Sequence, residues 1–222
     1  MKKESLKQQA YNIIKEKIIN CEYAPNDLLN EEKLKEEIGA SRTPIRDALS
    51  RLEQERLVHI LPKKGIMVAP LSIRDINAVY EARMLIEPYA IEHNGNKISR
   101  EKFVEYKETF QKIKDAVKNG RGMPENLYEI DDQFHIEFIK AMENEYFLSM
   151  YEQIYNQNLR LRILSGARGK NRMSETQDEH LKIVDYCIYG NWEQAASAMK
   201  EHLLFSKRAS FDAIFQNSDM FL

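Results

Sequence analysis

Strand-like sequence is confined to one window of this 222-residue chain, and that confinement limits the fold more than any other feature. Leu57–Leu61 and Ile66–Ala69 are short apolar runs separated by Pro62-Lys63-Lys64-Gly65, where glycine supplies turn geometry, so they predict a β-hairpin. Upstream the periodicity is helical. Leu6, Ala10, Ile13, Ile14 and Ile18 form one stripe, which ends before a turn at Pro25-Asn26-Asp27. Asn30 then caps a short second helix: Glu31 and Glu32 suit the positive end of its dipole, Leu34 and Ile38 face inward, and Gly39 closes it. Ser41 or Thr43 caps a third, with Pro44 tolerated in the first turn and Ile45, Ala48, Leu49 and Leu52 as its buried stripe.

After Pro70-Leu71 the strand signal is gone. Six amphipathic helices follow, at roughly 72–93, 99–119, 124–143, 145–167, 174–189 and 191–216, with Ser72, Ser99, Ser174 and Asn191 as starts and Gly95, Gly120 and Gly190 as breaks. The tail QNSDMFL is expected to fray. The predicted fold is mainly α: an N-terminal winged helix-turn-helix over residues 1–70, followed by an all-α antiparallel six-helix bundle over 71–222.

Bulk properties exclude several classes. No apolar run approaches the ~20 residues of a membrane span, and the N-terminus is amphipathic rather than signal-like, so a cytoplasmic protein is expected. Cys21 and Cys187 stand alone in helical contexts, which argues against a disulfide framework or a cysteine zinc site. The formal charge is only -2. Residues 1–70 hold 13 Lys and Arg against 11 Asp and Glu, a net +2, and the remainder holds 20 against 24. Nucleic-acid binding therefore has to be argued from local geometry.

That geometry is in the third helix. Its apolar stripe packs down, leaving Thr43, Arg46 and Ser50 outward and Arg42 at the exposed first turn. Arginine can read guanine bidentately in the major groove, while hydroxyls and helix-terminal N–H groups hold phosphates. A solvated charged face is the bland reading of two arginines alone, but a hairpin tipped by Lys63, Lys64 and Gly65 directly after the helix favours a winged DNA-binding unit. The stretch LNEEKLKEEIGASRTPIRDALSRLEQERLVHILPKKGIMVAP resembles the DNA-binding domain of GntR-type bacterial transcription regulators in its SRTPxRxAL signature, leucine-rich continuation and Lys/Arg-Gly wing. By that resemblance Ser41, Arg42 and Arg46 would touch DNA from the recognition helix, with Lys64 and Gly65 following from the wing. Glu32 stands where some relatives have a DNA-contacting arginine, and Arg56 where a glycine is common.

The bundle carries polar residues on apolar faces. Asp131 and His135, spaced i, i+4, lie amid Leu127, Phe134, Phe138 and Met142; His180 shares a face with Ile183, Val184 and Cys187; His202 shares one with Ala195, Ala198, Met199 and Phe205. Any one of these histidines could be a satisfied core residue, but the set of four can converge on one divalent cation, and imidazole with carboxylate suits zinc, nickel, manganese or iron. The pattern resembles the effector domain called FCD, found behind GntR-type heads in the FadR and VanR groups, where D-x-x-x-H, H and H supply one Asp and three His. Six helices resemble the VanR-like arrangement. The resemblance implies one metal ion per chain, zinc foremost.

Arg83 and Glu87 lie on the stripe of Ile76, Val79, Tyr80 and Ala90, while Asn158 and Arg162 lie on that of Tyr151, Ile154 and Leu161. An inward arginine needs an anion, either Glu87 or the carboxylate of a small effector. The FCD resemblance places an arginine of the first bundle helix at the pocket, which puts Arg83 forward as an effector-binding residue; Asn158 and Arg162 join it as inward polar groups. His59 and His93 read as surface groups, Phe103, Tyr106, Phe110, Ile113 and Val117 as packing, and Trp192 as a helix anchor. The combined reading is a transcription regulator, not an enzyme, acting as a homodimeric repressor on a palindromic double-stranded operator, with a small-carboxylate effector and no membrane partner. Its rivals are a metal-dependent hydrolase built on the Asp/His3 set and a structural DNA-binding protein with a zinc-stapled bundle.

Overall fold

The computed structural model describes residues 4–120, 127–164 and 170–216. It is mainly helical with one small sheet, as the confined strand signal requires. Two compact units emerge, Met1–Ser72 together with Leu159–Leu164, and Ile73–Asn158 together with Ser165–Leu222.

In the first unit, α1 (Leu6–Ile19) starts at Ser5, whose hydroxyl accepts from the Gln8 N–H at 3.2 Å. It buries Ala10, Tyr11, Ile14 and Ile18, whereas Leu6 and Ile13 of the expected stripe are exposed. Asn30 caps α2 (Glu31–Ile38) by accepting from the N–H groups of Glu32 at 2.8 Å and Lys33 at 3.4 Å, and Gly39 ends it in the left-handed conformation with φ 70°. Ser41 is the N-cap residue of α3 (Arg42–Gln54), yet its hydroxyl makes no capping bond.

Helix α3 buries Ile45, Ala48, Leu49 and Leu52 as expected. It ends with Arg56 at φ 59°, the Leu57 N–H donating to Leu52 O at 2.9 Å and the Arg56 N–H to Glu53 O at 2.9 Å. These two bonds form a Schellman closure. The hairpin follows at once, β2 (Val58–Leu61) pairing antiparallel with β3 (Gly65–Val68), Leu61 opposite Gly65. The tip turns through Lys63 at φ 64° and Gly65 at φ 104°. A two-residue strand, β1 (Leu28–Leu29), adds to the far edge of β3 and was not expected.

The second unit holds six α-helices among the described residues: α4 (Ile73–Asn94), α5 (Arg100–Lys118), α6 (Leu127–Ala141), α7 (Glu145–Leu164), α8 (Lys170–Ile188) and α9 (Trp192–Gln216), α7 ending in the segment grouped with the first unit. Helix α4 packs on α6 and α9, and α8 on α5 and α9. Phe103, Phe110, Phe134 and Phe138 form an aromatic centre, with Phe110 and Phe134 edge to face at 5.1 Å. Trp192, first residue of α9, covers Gly95, where an added Cβ would meet its ring at 2.7 Å. Helix α8 begins before the expected Ser174, because Met173, two turns before His180, extends the buried face that Gln177 continues one turn before it. The expected start of α6 at 124, the continuation of α7 to 167 and the end of the tail beyond Gln216 lie outside the described residues. No helix among the described residues is long and apolar enough to cross a membrane.

Candidate metal centre and nucleic-acid interface

Helices α6, α8 and α9 each contribute one histidine to a single buried point. His135, His180 and His202 each offer a ligand nitrogen, all within 4.8 Å of one another, and the three rings are 2%, 0% and 3% exposed. Asp131, one turn before His135 and buried, brings Oδ1 to 3.4 Å from His180 Nε2 and Oδ2 to 3.9 Å from His135 Nε2. The i, i+4 spacing accounts for the Asp131–His135 pair; only the helix packing brings in the other two.

Two carboxylates unforeseen in this role set the histidine tautomers. Glu87 Oε2 lies 2.6 Å from His135 Nδ1, and Glu179 Oε2 lies 2.7 Å from His202 Nδ1. Each carboxylate accepts from an Nδ1–H, so each Nε2 keeps its lone pair. His135 Nε2 and both nitrogens of His180 have no hydrogen-bond partner. Burial, and then the neighbouring histidines, push His180 and His202 well below the usual imidazole range, so both are neutral at physiological pH. Neutral imidazoles with orphaned nitrogens beside a carboxylate are what a divalent cation requires, and left empty-handed they are expensive to bury.

Glu87 is the hub of the adjoining network. It is fully buried and accepts from Arg83 Nε at 2.5 Å, the Tyr151 hydroxyl at 2.7 Å and His135. Of the two anions considered for Arg83, the structure therefore supplies Glu87. Burial opposes the charge on Glu87, but Arg83 and then His135 hold its carboxyl well below the usual range. Asn158 is buried with Oδ1 lacking a hydrogen-bond partner. Arg162 is half-buried and falls in the segment grouped with the first unit. The fully buried arginine of that segment is Arg160, which donates to Ala69 O at 2.6 Å, while Tyr151, Asn158 and Leu161 of the expected α7 stripe are buried as the sequence suggested. Glu179, which also holds Arg172 through two bonds of 2.5 and 3.0 Å, reaches His202 from a different helix, so no spacing rule reveals it.

In the first unit Ser41, Arg42, Thr43 and Arg46 are all exposed on α3, and Lys63, Lys64 and Gly65 are exposed at the hairpin tip. The arginines are not unattended. Arg42 donates to Glu32 Oε1 through Nε at 3.0 Å and Nη2 at 2.5 Å, while Arg46 Nε lies 3.1 Å from each oxygen of Glu31.

A winged helix-turn-helix followed by a helical bundle with a buried histidine cluster is the architecture of a transcription regulator that carries an effector domain. The chain belongs to the GntR family of bacterial regulators with an FCD effector domain: residues 6–68 match the family described as bacterial regulatory proteins, gntR family, and residues 78–205 match the FCD domain. These are transcription regulators and not enzymes. A Bacillus subtilis relative named as the uncharacterized HTH-type transcriptional regulator YdhC is 26% identical over 196 residues, covering 88% of this chain and 85% of its own. Among solved structures, Escherichia coli McbR/YncC superposes with a TM-score of 0.77 at 18% identity, covering 97% of this chain and all of that one. The Zn2+-bound FCD domain of TM0439 gives a TM-score of 0.54 at 22% identity, covering 67% of this chain and 99% of that chain. At such identities the two structures speak to the fold alone.

Proposed function

We propose that this regulator is a cytoplasmic homodimeric repressor whose heads, residues 1–70, read the two halves of a palindromic operator. Residues 71–222 would form the effector-binding and dimerisation domain. Ser41, Arg42, Thr43 and Arg46 would enter the major groove from α3, with Lys64 and Gly65 of the hairpin on the backbone. Asp131, His135, His180 and His202 would hold one divalent ion, zinc foremost, and the ion with Arg83 and Asn158 would take a small carboxylate effector. The observation that carries this reading is the buried histidine trio, in which His135 Nε2 and both His180 nitrogens lack a hydrogen-bond partner. The zinc in the TM0439 domain of like fold supports it.

Bound metal would supply positive charge and open coordination positions for an effector oxygen. Arg83 keeps N–H groups beyond those that Glu87 takes, so it can share its charge between the internal carboxylate and an incoming one. Effector binding would alter the bundle and, through the dimer, the fit of the heads to the operator.

Elemental analysis of protein purified without chelator tests the centre. About one divalent ion per chain is expected, and His135→Ala and His202→Ala should lower metal content and melting temperature together, because an ion bound only by the folded state stabilises it by mass action. Unchanged stoichiometry in both variants would reduce the cluster to core histidines. A metal-loaded protein whose DNA affinity ignored every small carboxylate tried would instead point to a purely structural ion.

A further inference from the structure

Glu31 and Glu32 are the first two residues of α2, and each is committed to one arginine of α3. Glu32 is held from three sides. The N–H of Glu32 is bound by the capping Asn30 at 2.8 Å, its Oε2 by Lys35 at 2.5 Å and its Oε1 by Arg42. Hydrogen bonds from Lys35 and Arg42 hold the Glu32 carboxyl down at about 2, so it is charged at any working pH.

The manner of the grip matters more than its existence. Glu31 takes only the Nε of Arg46, with both oxygens at 3.1 Å, leaving the two terminal Nη groups that make the fork for a guanine edge. Glu32 takes the Nε and Nη2 of Arg42, leaving Nη1 and one Nη2 hydrogen. The arginine side chains remain 65% and 64% exposed. Exposed ion pairs add little to stability, so these two hardly serve the fold. Generic DNA binding, by contrast, grows with every phosphate that a free cation neutralises. A carboxylate on the Nε side taxes that generic contact, and a base edge approaching the free Nη side leaves the pair intact.

We infer that Glu31 and Glu32 are positioning residues for sequence recognition, presenting Arg46 and Arg42 with their terminal N–H edges to the bases while suppressing non-specific phosphate binding. The inference rests on α3 being the recognition helix. The Glu32 carboxylate gives this head a selective but weakly adhesive surface, consistent with the net charge of only +2 over residues 1–70.

The test uses the full-length protein and two duplexes, one selected from a random library by the wild-type protein and one a scrambled sequence of equal composition. Affinities are measured from about 50 to about 200 mM salt. Glu31→Gln and Glu32→Gln should each bind the scrambled duplex several-fold tighter. The salt dependence should steepen by about one unit of slope, as for one added phosphate contact. The preference for the selected duplex should fall at least five-fold, with the melting temperature unchanged. Arg46→Ala and Arg42→Ala run alongside. If the arginine variants lose the preference while both glutamine variants keep wild-type preference and slope, the acids are bystanders and the inference is overturned. If the arginine variants also keep the preference, α3 does not read the operator, and the inference falls together with that assignment.

Discussion

Glu87 receives hydrogen bonds from side chains on three helices, Arg83 of α4, His135 of α6 and Tyr151 of α7, and the loss of each donor has its own consequence. Arg83→Met keeps volume but strips the fully buried carboxylate of its only permanently charged partner among those three. Urea unfolding in chelator should show a loss of roughly 3–5 kcal/mol, the usual result of breaking a buried pair from one side. Tyr151→Phe should lose about 1–2 kcal/mol, as for one hydrogen bond to a charged group. An unshifted Arg83→Met midpoint would mean that the hydrogen bonds from Tyr151 and His135 suffice to hold the buried carboxylate. The metal-free protein should also respond to pH. His180 and His202 are depressed in the folded state, so below about pH 6.5 the unfolded chain binds protons that the folded one does not. Stability should therefore fall as pH drops from about 6.5 toward 5, by up to about 1.4 kcal/mol per unit for each histidine. Glu87, also depressed, adds its own loss only below about pH 4.5. Midpoints flat from pH 7.5 to 5.5 would show the two rings titrating as if exposed. Glu87 was one of two partners the sequence offered Arg83, and i, i+4 spacing is what put it within reach. The Glu179–His202 bond was not legible in the sequence, since it depends on how α8 and α9 pack.

At the scale of elements, the punctuation residues were the most legible part of the chain. Asn30, Gly39 and the lysine-glycine turn stand where capping and turn chemistry put them. Strand β1 escaped notice because two residues carry no period, and it exists only by pairing with β3. The α8 start was misplaced because KNRMSETQDEH offers few apolar residues, although Met173 and Gln177 are buried. Arg56 is the instructive departure, since the Schellman closure of α3 holds it at φ 59°, where a Cβ is strained. Arg56→Gly should therefore raise the stability of the first unit by about 1 kcal/mol. Gly39→Ala, with nothing within 4 Å of the added Cβ, should lower it by a similar amount through φ strain alone. Equal chemical-denaturation midpoints for the two variants would rule out backbone strain at both helix ends.

The whole molecule has two separate cores, one gathering Ile14, Ile18, Ile45, Leu49 and Leu52, the other Phe103, Phe110, Phe134 and Phe138. Hydrophobic periodicity foretold both, because each is built from stripes along single helices; the convergence of three of those helices on one point was open to resemblance but not to periodicity. All four candidate ligands belong to the second core's unit. An ion bound there adds its binding free energy to that unit's folded state and to no other, about 2.7 kcal/mol at a free concentration one hundred times Kd. For a unit of this size that corresponds to a shift of about 5–10 °C. Calorimetry with and without chelator should accordingly show one endotherm moving down by that amount while a second, belonging to the head, stays within about 1 °C. His180→Ala protein should show the lower endotherm already and no further effect of chelator. Two endotherms that moved together would mean that the heads and the bundle unfold as one cooperative block. Endotherms indifferent to chelator would leave the orphaned imidazole nitrogens without the ion assigned to them.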